Sequence, residues 1–327
     1  MISENRRAGY KNVGEYKIIK KIGKGVYGCV YKCKDNYGKI YAIKKFNDDN
    51  FFFNSGKREI EFLNNIKNLN FFAKIHDSFN INNNIYIIQD YLSIDMENRL
   101  KYHTFGLDYI RRISYDILNG LKELRSLSRP IVHGDLKPDN LILHNGITKI
   151  IDFSNAFYLD EYDKDSCGII KRIYNYLFGN KHPYIQAKAY RAPEILFETN
   201  LVSKVDIWST GCILFELFTG IVLFDYSDNK IRLESIFTAI GEDYSILEHV
   251  DNEVLNYYFE IDDDFEFYFR RSYKVSPNRT LESLLKENNN LNEDLNEFID
   301  FLRSMLVINP IDRWDIEELL QHSFLIY

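Results

Sequence analysis

The chain has 327 residues, 45% hydrophobic and 27% charged, with 41 basic against 48 acidic side chains and a net charge of −7. Such a chain can bury a large core without staples, and its length suggests about two domains. The acidic balance speaks against wholesale binding of nucleic acid or anionic membrane, which needs a basic surface, and is compatible with a basic protein partner.

Residues 1–15 form an N-terminal extension without an apolar signal core, so secretion is not expected. Strands are expected at 16–23, 29–35 and 39–46, where β-branched and aromatic residues cluster between turn signals such as Asn36-Tyr37-Gly38. A helix is expected near 56–68, with Ile60, Leu63 and Ile66 at helical spacing, and another strand at 84–92. Past residue 93 the pattern becomes helical. Residues 107–127 carry Ile110, Ile113, Ile117, Leu121 and Leu124 on one face; 205–220 are apolar all round, as in a buried helix; 296–308 and 315–322 are further helices. Asp315 and Glu318 make a capping box at the last of these. A strand-rich lobe, 16–92, thus precedes a larger helical lobe, 93–327. Their joint falls near Tyr91–Ser93, and ligand sites favour such interlobe clefts.

Several segments carry no chemistry by themselves. Cys29, Cys33, Cys167 and Cys212 lack the partners of a zinc site and read as reduced, mostly buried thiols. The longest apolar run, 211–224, is interrupted by Glu216 and falls short of the roughly 20 residues that span a bilayer. The Asn-rich stretches 80–84 and 287–298 read as solvated loops.

Residues 22–30, IGKGVYGCV, hold the pattern G-x-G-x-x-G in Gly23, Gly25 and Gly28. A P-loop would need Lys and Ser/Thr after the last glycine, and Cys29-Val30 do not supply them; a dinucleotide fingerprint would need a helix to follow, and a strand follows. A loop joining two strands and covering phosphates with backbone N–H groups remains, beside a plain glycine hairpin. Lys44, in the next strand, places an ammonium to meet α/β-phosphates. Glu59 is the preferred partner to orient it, with Glu61 the competitor. On a surface such a pair would be worth little.

Residues 131–143, IVHGDLKPDNLIL, set a polar centre between apolar anchors. Phosphoryl transfer to a hydroxyl needs a carboxylate at the nucleophile, a cation at the moving group, and metal ligands. Asp135 suits the first task, Lys137 the second and Asn140 the third, with Pro138 stiffening the turn. Asp152, in KIIDFS, suits a second metal ligand.

In this order, GKGVYG, AIK, Glu59, HGDLKPDN, DFS, APE at 192–194, DIWSTG at 206–211 and Arg313 resemble a eukaryotic-type protein kinase from about Tyr16 to Leu325. The resemblance implies an α+β, two-lobed fold, ATP with Mg2+, and phosphate transfer to protein Ser, Thr or Tyr. The cofactor-binding set becomes Ile22, Gly23, Lys24, Gly25, Val26, Tyr27, Gly28, Val30, Ala42, Lys44, Glu59, Asp90, Leu92 and Ile142. Of these, Ile22, Val30, Ala42 and Ile142 would sandwich the adenine, and the Asp90 and Leu92 backbones would bond to it. Asp135 and Lys137 are the catalytic residues; Asn140 and Asp152 hold metal. Gln89 would guard the back pocket. Glu194–Arg313 and Asp206 would have supporting roles.

Residues 181–196 resemble the activation segment of the CMGC group, in its LAMMER-type and dual-specificity tyrosine-regulated branches, with Tyr184 as a candidate phosphorylation site and Lys188 in place of the group's usual arginine. The LAMMER signature itself is absent, since residues 230–241 read KIRLESIFTAIG. A LAMMER-like kinase would act on Arg/Ser-rich proteins, which the acidic stretch 260–267 would favour unless it is simply a solvated loop. The expected partners are protein substrates, with no direct nucleic acid and no membrane; the chain is read as an intracellular monomer, nuclear or cytoplasmic. Two positions depart from the family. Ser154 replaces a glycine, restricting the backbone but deleting no ligand. Gly134 replaces an arginine that would clamp a phosphorylated segment. The alternative to an active kinase is a pseudokinase that binds ATP or acts as a scaffold, with Ser154 as its support.

Overall fold

The computed structural model describes residues 12–92, 96–100, 104–162, 185–262, 266–270, 275–276, 279–286 and 293–326. Ser93, Cys167, Tyr184, residues 263–265 of the acidic stretch and 287–292 of the second Asn-rich stretch lie outside them. Two compact units emerge. One runs up to Asp95 and takes in Leu141–Ala156; the other holds Met96–Asn140 and the chain from Phe157 onward.

The first unit is built on a six-stranded antiparallel sheet. Its strands are β1 (Asn12–Val13), β2 (Tyr16–Lys24), β3 (Gly28–Lys34), β4 (Ile40–Phe46), β5 (Ile75–Ile81) and β6 (Asn84–Asp90), in the order β1-β2-β3-β4-β6-β5. Buried Val13, Tyr16, Cys33, Tyr41, Ile43, Tyr86 and Ile88 form one core of this sheet. The three strands expected before residue 47 are present within two residues of their expected ends. β1 and β5 were not expected. β5 alternates poorly, IHDSFNI, and owes its pairing to the hairpin with β6. The turn of that hairpin is Asn82-Asn83, with φ of 51° and 61°, so part of the Asn-rich loop is strand and part is a tight turn in the left-handed region that Asn tolerates.

Helix α1 spans Asn50–Ile66, starting six residues before its expected start. Asp49 caps it by accepting a hydrogen bond from the Phe51 N–H. Gly56 marks no break; it lies inside the helix, where a Cβ would come within 2.9 Å of the Ile85 side chain. The helix uses the missing side chain to sit close to β6. This unit also holds the hairpin Leu141–His144 with Ile147–Ile150, turned at Asn145-Gly146 and bridged to the rest through Phe72 and Ile150.

The second unit is helical. The helix Val205–Thr219 buries every residue from Val205 to Leu217 and ends on Gly220 in the left-handed region (φ 76°). The Leu107–Arg125 helix buries Ile110, Ile113, Ile117, Leu121 and Leu124, the face expected from spacing. The helix expected at 296–308 lies at Glu293–Met305, and Ile316–Leu320 carries the expected Asp315/Glu318 capping box. The flanks of the acidic stretch are a hairpin, Phe259–Ile261 with Phe267–Phe269, packed by aromatic contacts of Phe259 with Phe237 and Tyr244. Among the described residues no helix is long and apolar enough to cross a membrane. The chain is therefore α+β, a strand-rich unit and a larger helical one, as the resemblance implies.

The glycine loop makes a sharp packing prediction. A Cβ on Gly28 would lie 1.9 Å from the Lys45 carbonyl oxygen, inside the β3–β4 ladder, whereas one on Gly25 meets nothing within 4 Å. Gly28→Ala is expected to destabilise by about 1–3 kcal/mol and Gly25→Ala by less than about 0.5 kcal/mol, read as thermal midpoints of the purified variants.

Candidate active site

In the first unit, β2 and β3 flank residues 25–27, so the glycine pattern is a strand–loop–strand, with the Gly25 N–H donating to the Gly28 carbonyl at 2.9 Å. Ile22, Lys24, Gly25 and Val26 are exposed; Gly23 and Tyr27 are half-buried. The Tyr27 hydroxyl donates to Asn155 Oδ1, tying the loop to the segment after Asp152. Val30 stands opposite Lys44 in the ladder, and Ala42 opposite Gln89. Ile142 is buried in the hairpin that leads to Asp152. The Asp90 N–H donates to the Lys74 carbonyl at 3.0 Å, so a ligand hydrogen bond from Asp90 falls to its carbonyl. Its side chain holds His76 at 2.6 Å and the Lys74 N–H at 3.1 Å, while Leu92 is half-buried two residues on. The Gln89 Nε2 is buried with no partner among the described residues.

Lys44, Glu59 and Asp152 converge. The Lys44 Nζ donates to Glu59 at 2.6 and 2.9 Å and to Asp152 Oδ1 at 2.6 Å. The Lys44 and Glu59 side chains are 9% and 0% exposed, so this is a buried pair and no surface contact; Glu61, the competitor, is exposed. Burial disfavours the charged form of Lys44, but the Asp152 and Glu59 carboxylates outweigh it and raise its pKa. Burial likewise opposes ionisation of Asp152, and the Lys44 ammonium overrides it, holding the carboxyl well below the usual carboxylate range. At Glu59 burial wins, and the carboxyl is pushed up despite Lys44. One ammonium thus faces two carboxyl groups, one held ionised and one pushed toward protonation. Asp152 Oδ2 takes no hydrogen bond among the described residues and the side chain is 38% exposed, so a divalent cation there would find a free carboxylate oxygen. Asp152 also sits at φ 67°, a left-handed conformation that a non-glycine residue adopts only under constraint.

In the second unit the segment 133–140, which holds the expected catalytic residues, is held from behind. Asp206, at the start of the buried helix, accepts from the His133 N–H at 2.7 Å and the Gly134 N–H at 3.0 Å. Gly134 has φ 73°, where glycine is the low-cost residue, so it has a local backbone reason besides the missing arginine. Asp135 is nearly buried, and its Oδ2 accepts from Lys137 Nζ at 2.7 Å. Pro138–Asn140 form a 3₁₀ turn that lets Asn140 Nδ2 donate to the Asp135 carbonyl at 2.8 Å. With its amide nitrogen so anchored, Asn140 presents Oδ1, the atom a metal would use.

Sequence reasoning missed Gln186. It is fully buried at φ 61°; its N–H donates to the Gly134 carbonyl at 2.6 Å, its Nε2 to the Val205 carbonyl and Ser209, and its Oε1 accepts from the Ala192 N–H. It fastens the end of the activation segment to the His133–Asp135 turn without an arginine. A lone Gln six residues before an alanine carries no signal of that role.

A glycine strand–loop–strand, a buried Lys–Glu pair and an Asp-x-Lys-x-x-Asn turn backed by a helix-borne Asp are the parts of a protein-kinase domain. Residues 16–325 match the family described as protein kinase domain, and the chain belongs to that family. It is 32% identical over 324 residues to a probable dual specificity protein kinase YAK1 homolog of Encephalitozoon cuniculi, covering 95% of this chain and 73% of that one. It is 29% identical to serine/threonine-protein kinase ppk5 of Schizosaccharomyces pombe, over 95% of this chain and 36% of that protein. With human dual specificity tyrosine-phosphorylation-regulated kinase 3 the identity is 32%, over 69% of this chain and 37% of the other. The chain thus spans well under half of the latter two. The YAK1 homolog and the tyrosine-phosphorylation-regulated kinase belong to the CMGC group, the group that residues 181–196 resemble.

Proposed function

We propose that this chain transfers the γ-phosphoryl group of ATP to Ser and Thr hydroxyls of protein substrates, and to Tyr hydroxyls as well. The observation that carries the reading is the Asp135–Lys137–Asn140 turn, in which a nearly buried carboxylate is paired at 2.7 Å with the cation two residues on. Asp135 orients the substrate hydroxyl and takes its proton as the new O–P bond forms; the bond from the γ-phosphorus to the bridging oxygen breaks, and ADP leaves. Lys137 offsets charge on the moving group. Lys44, oriented by Glu59, meets the α/β-phosphates, under the glycine loop of residues 23–28. Asn140 and Asp152 are the metal ligands, and Mg2+ supplies neutralisation of phosphate charge when bound. Ile22, Val30, Ala42 and Ile142 seat the adenine, with the Asp90 carbonyl and the Leu92 backbone as its polar partners.

The dual-specificity names of two relatives support tyrosine as a second acceptor. Basic, Arg/Ser-rich proteins are the substrate class we favour, on the acid excess of the chain. The free thiols of Cys29, Cys33 and Cys212 suit an intracellular setting. Purified protein with radiolabelled Mg-ATP is expected to phosphorylate itself or a basic Ser-rich substrate. Nucleotide binding without any transfer would replace this reading by that of a pseudokinase.

A further inference from the structure

Ser154 does more than stand where the family has glycine. Its Oγ lies 2.5 Å from Lys44 Nζ, 2.5 Å from Asp152 Oδ1 and 2.9 Å from Glu59 Oε2. An ammonium has three protons, and Lys44 spends them on Glu59, Asp152 and Ser154. No proton is left for a phosphate oxygen. If Lys44 meets nucleotide phosphates, one acceptor has to leave. Two of the three are carboxylates, whose bonds to an ammonium are charge-assisted on both sides; the hydroxyl is neutral and is the weakest of the set. It also has somewhere to go, because its own single proton already serves one of the two carboxylates.

We propose that the Ser154 hydroxyl and a nucleotide phosphate compete for the same Lys44 proton, so that Ser154 sets nucleotide affinity. Ser154 is a positioning residue here, acting through Lys44, and the inference rests on the kinase reading. Deleting the hydroxyl leaves a buried ammonium proton without an acceptor in the free protein only.

Calorimetric titration of the full chain with ADP and with Mg-ATP tests this without reading turnover. Ser154→Ala and Ser154→Gly are both expected to tighten binding about three- to tenfold, the worth of one such hydrogen bond. Ser154→Thr, which keeps the hydroxyl, should bind as the wild type does. In a Lys44→Met background the step from Ser154 to Ala should change affinity by less than about twofold, because the coupling partner is gone. Equal or weaker binding by both Ser154→Ala and Ser154→Gly overturns the inference while leaving the kinase reading intact. A wild-type chain that binds neither nucleotide overturns both.

Discussion

Asp135→Asn is expected to lower kcat by about two to four orders of magnitude, the usual contribution of a positioned general base. The substitution is nearly isosteric, and the turn around it is fixed by groups it does not touch. Asp206 holds the His133 and Gly134 N–H groups, and Asn140 Nδ2 holds the Asp135 carbonyl, so the backbone has no cause to move. What changes is chemistry. A carboxamide accepts no proton at neutral pH, and Lys137 loses the anion it sits against at 2.7 Å. Nucleotide affinity should hold, because the Lys44–Glu59–Asp152 cluster is elsewhere in the chain. A loss in kcat with a nearly constant Kd for Mg-ATP marks an interaction made only in the transition state. An Asn variant with wild-type turnover would remove Asp135 from its role, and an equal loss of Kd would mean that the change had spread to the nucleotide.

How far the sequence foretold this arrangement depends on whether a role is carried by residue type and spacing or by tertiary contact. Lys44 and Glu59 were readable because strand and helix patterns put them on defined elements, and the preference for Glu59 over Glu61 rested on which helix face would be apolar. Asp206 was readable only through the family resemblance; the all-apolar helix pattern by itself says nothing of the His133 and Gly134 N–H groups that it holds. Gln186 was invisible, since its bonds go to partners scattered from Gly134 to Ser209, and no local pattern announces them. The start of α1 was placed late because it was read from the spacing of Ile60, Leu63 and Ile66; Gly56 lies inside the helix, and the side chain of Ile85, 29 positions away, is what makes glycine necessary there. Ser154 was legible as a departure, but its sign was not. Only the distances to Lys44, Glu59 and Asp152 turn a suspected defect into a partner of the cluster.

Arg313→Ala should cost about 3–5 kcal/mol of stability, the usual price of breaking one half of a buried ion pair. Arg313 Nη1 and Nη2 meet Glu194 Oε1 and Oε2 at 2.7 and 2.9 Å, and both side chains are wholly buried. The remaining guanidinium protons go to the carbonyls of Val307, twice, and Lys204, so all five donors are used. The plane also lies 5.2 Å from the Trp208 ring in the central helix. Lysine cannot reproduce a five-donor fork, so Arg313→Lys should recover only a small part of the loss. The double variant Glu194→Leu/Arg313→Met tests the cause. It removes both charges, so it should be more stable than Arg313→Ala. It should stay below the wild type, because the Val307 and Lys204 carbonyls still lose their donors. The drop for Arg313→Ala should appear as a fall in melting temperature on the order of 10 °C. A midpoint within ~2 °C of the wild type would mean that water or a neighbour replaces the pair. A double variant no better than the single would shift the loss from uncompensated charge to the orphaned carbonyls.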